Sequence, residues 1–153
     1  MQRIQSFTVD HDYIEKDIYV SRIDGDITTY DLRTRKPNAG DYMDNLTMHS
    51  LEHMFATYVR NSDMGGDVIY FGPMGCRTGF YLLVRDRTPD EVLGVVKDTL
   101  EKVISHDGEM FGASQKECGN FRELSLDAAK SEARKYLDAL NSKEHNFKYP
   151  KNL

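Results

Sequence analysis

No apolar run in the chain approaches the roughly 20 residues that a bilayer-crossing helix requires, so no membrane span is expected. The first ten residues, Met1 to Asp10, lack the apolar centre of a secretory signal. Positive charge is scarce: 20 Lys and Arg stand against 25 Asp and Glu, for a net charge of −5. That balance argues against nucleic acid or an acidic membrane surface as a main partner. Cysteine is limited to Cys76 and Cys118. A chain of 153 residues buries enough surface to fold without disulfides. These shortages predict a cytoplasmic protein whose two cysteines are thiols.

What remains is ordinary globular material, 39% hydrophobic and 29% charged, of a length that suits one domain over residues 1–153. Residues 18–23 and 27–32 carry β-branched and aromatic positions around Asp24-Gly25-Asp26, which predicts a β-hairpin. Arg33 to Gly40, with Pro37, predicts a loop. Asp44 is a good N-cap for a helix to about Asn61, with Leu51, Phe55, Tyr58 and Val59 on related faces. Residues 67–71 and 78–85 predict two more strands, joined by a turn that carries Cys76. Thr88-Pro89-Asp90-Glu91 is a capping box that opens a helix to about His106. Its Val92, Val95, Val96, Leu100 and Val103 form one apolar stripe. Residues 107–124 are irregular and hold Cys118, and Ser125 caps a last helix to about Asn141. The order ββαββαα predicts an α+β fold, with helices packed on a mainly antiparallel four-stranded sheet.

The strongest chemical signal is His49-Ser50-Leu51-Glu52-His53. On a helix, His49 and His53 lie one turn apart on one face, where two imidazoles can converge on one divalent metal. Glu52 reaches the same locality and can move protons there. The bland alternative is a solvated helix face with two exposed histidines. A single-metal site needs a third protein ligand, and Cys118 is the candidate, with a fourth position left for water or substrate. Cys76 is nearly as good on these grounds, because both cysteines lie in predicted turns. A free cysteine is also, most often, a small buried hydrophobe.

The chain closely resembles the S-ribosylhomocysteine lyase (LuxS) family from Ser6 to about Leu140. The resemblance rests on motifs in order: Ser6-Phe7-x-x-Asp10-His11, Asp31-Leu32-Arg33 followed by Pro37-Asn38, His49-x-Leu51-Glu52-His53, Pro73-Met74-Gly75-Cys76-x-Thr78-Gly79, and Lys116-x-Cys118-Gly119. It implies a metal bound by His49, His53 and Cys118, with Cys76 and Glu52 as acid/base groups. It further implies Ser6, His11 and Arg33 as substrate-binding residues, the first two reaching across a homodimer whose active sites are shared. Residues alone would make His11 an ordinary surface histidine and Arg33 a solvated loop charge. Tyr70 and the 108–116 loop depart from the family pattern and touch only details of the pocket.

The implied reaction cleaves the thioether of S-ribosylhomocysteine to homocysteine and 4,5-dihydroxy-2,3-pentanedione, the precursor of the quorum signal autoinducer-2. The implied cofactor is one divalent metal per chain, Fe(II) in the cell, with Zn(II) or Co(II) able to substitute. Two other readings fit the residues less well. An inverted-zincin peptidase shares H-x-x-E-H but takes a carboxylate as third ligand. A structural metal module closes its site with four protein ligands, and only three good ones are found here.

Overall fold

The computed structural model describes residues 1–153. Two strands, β1 (Asp17–Asp24) and β2 (Ile27–Arg33), form the expected hairpin, and α1 (Asn45–Arg60) follows. Then come β3 (Val68–Pro73), β4 (Gly79–Arg85), α2 (Pro89–Ile104) and α3 (Leu126–Asn141). The sheet runs β1-β2-β4-β3 and every neighbouring pair is antiparallel. The α+β architecture of the sequence reading therefore holds, with all strands antiparallel rather than most.

Boundaries shift by a residue or two. Arg33 belongs to β2 rather than to the following loop, because it still pairs with Gly79 of β4. α2 stops at Ile104 instead of near His106, with Ser105 as its C-cap. Three short 3₁₀ turns, Gln5–Phe7, His11–Tyr13 and Gly65–Asp67, carry no periodic signal in the sequence.

The predicted caps form. Asp44 accepts from the Thr47 backbone N–H at 2.8 Å, Thr88 from Glu91 at 3.2 Å, and Ser125 from Ala128 at 3.2 Å. Each such cap stabilises its helix by about 1 kcal/mol.

Strand alternation gives the sheet two different faces. Tyr30 pairs with Leu82 and Leu32 with Phe80, and all four point into the core beneath the helices. The apolar stripe of α2 goes to the same core, where Val92, Val96, Leu100 and Val103 are fully buried. Burial of such side chains stabilises by about 1.5–3 kcal/mol each. Phe71 stacks on Phe55 of α1 at 4.5 Å and on Phe80 at 5.0 Å, which sets α1 firmly against β3 and β4. The opposite face has no helix over it and presents Thr29, Asp31, Arg33, Tyr81 and Leu83. Part of this face is covered by residues after α3, where Tyr149 stacks on Tyr19 at 4.8 Å. No helix is long and apolar enough to cross a membrane.

Candidate functional site

Helix α1 does what the spacing predicts: it places His49 and His53 together, ring centroids 4.6 Å apart and nearly perpendicular. The segment before α3 brings Cys118 to them, with its Sγ 3.3 Å from His49 Nε2. One ligand atom from each of the three lies within 4.8 Å of the others, a group that could hold a metal ion. Donors around a tetrahedral ion with bonds of about 2.0–2.3 Å stand roughly 3.3–3.7 Å apart. The cluster is thus close to a ligating arrangement and lacks only a small closure.

The outer nitrogens give an independent test of fit. His49 Nδ1 lies 2.8 Å from the Glu123 carbonyl oxygen, and His53 Nδ1 lies 2.9 Å from that of Phe111. A carbonyl oxygen can only accept, so each neutral ring carries its hydrogen on Nδ1. Each Nε2 is left with a free lone pair, the form in which histidine binds metals. Soft thiolate and imidazole donors suit a borderline transition metal.

Local sequence explains why these carbonyls are in place. Ser50, buried beside His49, accepts from the Ser125 N–H at 2.8 Å and so ties the Glu123 segment to α1. Gly112 has φ +65°, and a Cβ there would stand 3.0 Å from His53 Nδ1. Glycine is needed at that position for both the backbone angle and the close approach. Backbone acceptors leave no side-chain signature, so the sequence does not announce Phe111 and Glu123, and Ser50 and Gly112 matter only through segments distant along the chain. Glu52 lines a hollow of about 290 Å³ with His53, Phe71, Phe111 and Gly112. The larger hollows, about 570 and 610 Å³, lie around residues 143–149 and contain none of the donors.

Neither cysteine is a buried hydrophobe: Cys76 is exposed and Cys118 partly so, and both are free thiols. Cys76 sits at the tip of the β3–β4 turn, in which Arg77 has φ +63°. Its Sγ lies 3.0 Å from Thr78 Oγ1. Thr78 in turn accepts from Arg33 Nη1 at 2.8 Å. Arg33 is no solvated loop charge. It is 3% exposed and gripped by the Asp31 carboxylate through Nε at 3.1 Å and Nη2 at 2.6 Å. Burial opposes its charge, but Asp31 outweighs that and holds the guanidinium above its ordinary pKa.

Ser6 lines a hollow of about 430 Å³ on the uncovered sheet face with Tyr70, Tyr81 and Leu83. His11 is partly buried, with Nδ1 2.9 Å from the Val9 carbonyl. Within one chain, then, the site residues fall into three groups: the His49–His53–Cys118 cluster with Glu52, the Cys76–Thr78–Arg33 chain, and the Ser6–His11 segment.

The fold and the cluster define a class: an α+β protein with a two-histidine, one-cysteine centre able to hold a metal, and an exposed second thiol. Residues 4–147 match the sequence profile of S-ribosylhomocysteinase (LuxS), and the chain belongs to that family. It is 43% identical over 157 residues to S-ribosylhomocysteine lyase of Borreliella burgdorferi (strain ZS7), covering 98% of this chain and 100% of that protein. Similar relatives include the S-ribosylhomocysteine lyases of Finegoldia magna, 42% identical over 156 residues, and Desulfotalea psychrophila, 41% over 158. Each of these two alignments covers 98% of this chain and 99% of the relative.

Proposed function

We propose that the chain is an S-ribosylhomocysteine lyase that splits its substrate's thioether into homocysteine and 4,5-dihydroxy-2,3-pentanedione. The observation that carries this reading is the His49–His53–Cys118 donor cluster, with Glu52 beside it, in a chain matched along its length by lyases of that name. His49, His53 and Cys118 would hold one divalent metal, Fe(II) in the cell with Zn(II) or Co(II) as substitutes. When bound, such an ion supplies Lewis-acid stabilisation of negative charge developing on a substrate oxygen.

The protein's own groups then have defined work. The sulfur sits on C5 of the ribose and cannot leave until the carbonyl has migrated from C1 to C3. Each migration takes a proton from a carbon beside a carbonyl and returns one to its neighbour. Removal of the C4 proton finally expels the thiolate by β-elimination. Glu52 and Cys76 are the two groups assigned to these transfers, because each can carry a proton and each is reachable by substrate. Arg33, Ser6 and His11 bind and orient the sugar chain.

In this reading Ser6 and His11 reach into the site of a second copy of the chain. A homodimer through the uncovered sheet face would allow this. Beside the hollow lined by Ser6 on that face, Ile4 and Tyr70 are each at least half exposed. The setting is the cytoplasm, and the pentanedione product would feed autoinducer-2 formation. The test is to incubate metal-loaded protein with S-ribosylhomocysteine and titrate free thiol. Steady release of homocysteine, abolished by a strong chelator, is expected. No thiol release from fully metallated protein would refute the assignment.

A further inference from the structure

The segment after α3 does more than cover part of the sheet. The geometry points to Tyr149 as a positioning residue for Cys76, acting through Asp31, Arg33 and Thr78. This rests on the reading of Cys76 as an acid/base group, and it adds a residue beyond the 4–147 stretch that the family profile matches.

The contacts form one unbroken chain. The Tyr149 hydroxyl donates to Asp31 Oδ2 at 2.7 Å. The same oxygen receives Arg33 Nη2 at 2.6 Å, and Oδ1 receives Nε at 3.1 Å. Arg33 Nη1 then donates to Thr78 Oγ1 at 2.8 Å, and that hydroxyl meets Cys76 Sγ at 3.0 Å. Asp31 and Thr78 are 0% and 1% exposed, so water offers them no substitute partners. An arginine has no acceptor, so Thr78 Oγ1 must accept from it. Its own hydrogen is then free to be given to the sulfur, and that bond is charge-assisted when the sulfur reacts as a thiolate.

Each link is held from outside the chain. The Thr78 carbonyl accepts from Thr34 and Arg35 N–H groups at 3.0 Å each, so its backbone stays put when the side chain changes. Tyr149 is fixed by its stack on Tyr19 and by the bond from Val20 N–H to the Phe147 carbonyl at 2.8 Å. Burial, helped by the Asp31 charge, pushes the Tyr149 phenol well above its ordinary pKa, so it remains a donor under all working conditions. The charged or titratable groups within electrostatic reach of Cys76 are Arg33 from β2 and Tyr81 from β4. The same segment also pairs with the part of the chain that carries Ser6 and His11. Leu153 N–H donates to the Thr8 carbonyl at 2.7 Å, and Asp10 N–H to that of Lys151 at 3.1 Å.

The experiment uses the full-length, metal-loaded protein with Tyr149→Phe, Thr78→Val, the double variant and Thr78→Ser. Tyr149→Phe keeps the ring on Tyr19 and deletes only the hydroxyl. Two quantities are read: the rate of iodoacetamide alkylation at Cys76, with Cys118 as internal reference, and kcat with KM. Each single variant is expected to slow alkylation and lower kcat by about tenfold, the scale of one lost hydrogen bond to a charged group, with any rise in KM through Arg33 smaller than the fall in kcat. The double variant should fall no further than either single, since both cut one chain, and Thr78→Ser should recover most of the loss. Alkylation of Tyr149→Phe at the parent rate, or losses that multiply in the double variant, would overturn the proposal. Absence of thiol release from the parent protein would remove the lyase reading, while the alkylation series still decides whether Tyr149 acts on Cys76.

Discussion

Replacing Glu132 of α3 by alanine should destabilise the protein clearly, although the side chain lost is a charged one. Glu132 is 2% exposed, and both of its oxygens hold Arg35, at 2.9 Å to Nε and 2.6 Å to Nη2. Arg35 is itself 8% exposed and ties the loop after β2 to α3. Alanine would strand that guanidinium in the interior with two donors unpaired. Breaking a buried pair from one side costs about 3–5 kcal/mol. Arg35 would keep its contact to Asp41, which is well exposed, so the lower end, about 3 kcal/mol, is the expectation. For a domain of this size 1 kcal/mol moves Tm by about 2–4 °C, which gives a fall of roughly 6–12 °C. Thermal unfolding followed by circular dichroism measures it. The double variant Arg35→Met/Glu132→Leu should recover most of the loss, because an apolar pair of similar volume removes both charges at once. A Glu132→Ala protein melting within about 2 °C of the parent would show that the pair contributes no more than a surface contact.

Cys118→Ala, His49→Ala and His53→Ala should each lower metal content measured by elemental analysis; full metal and activity in Cys118→Ala would mean a different third ligand. Glu52→Gln should keep its metal and lose about 10²–10⁴-fold in kcat, since the amide cannot exchange protons, and loss of metal instead would make Glu52 a ligand. If sites are shared between chains, mixing inactive His11→Ala with inactive Cys76→Ala protein should restore some thiol release; no recovery after demonstrated subunit exchange counts against sharing. Tyr30→Phe should leave Tm unchanged or raised, because the Tyr30 hydroxyl is buried with no hydrogen-bond partner and its removal relieves a desolvation cost of about 1 kcal/mol. A clear drop in Tm would reveal a partner for that hydroxyl.

The sequence by itself determined whatever depends on neighbours along the chain. Asp44, Thr88 and Ser125 announce their helices because a cap bonds N–H groups only three residues away. The β1–β2 hairpin is legible because two-residue alternation and a Gly turn are local properties. His49, Glu52 and His53 could be placed on one helical locality because their separation is one turn. Tertiary structure decided everything that joins distant segments. Residues alone made Cys118 the candidate third ligand with Cys76 nearly as good, and only the path of the chain before α3 brings the Cys118 sulfur to His49 across 69 positions. Arg33 read as a solvated charge because its partners Asp31, Thr78 and Tyr149 meet only when β2, β4 and the segment after α3 are assembled. The Glu123 and Phe111 carbonyls that orient the two imidazoles belong to every residue type alike. A backbone oxygen gains its role from where the chain is led, and that path is set by packing rather than by any local pattern.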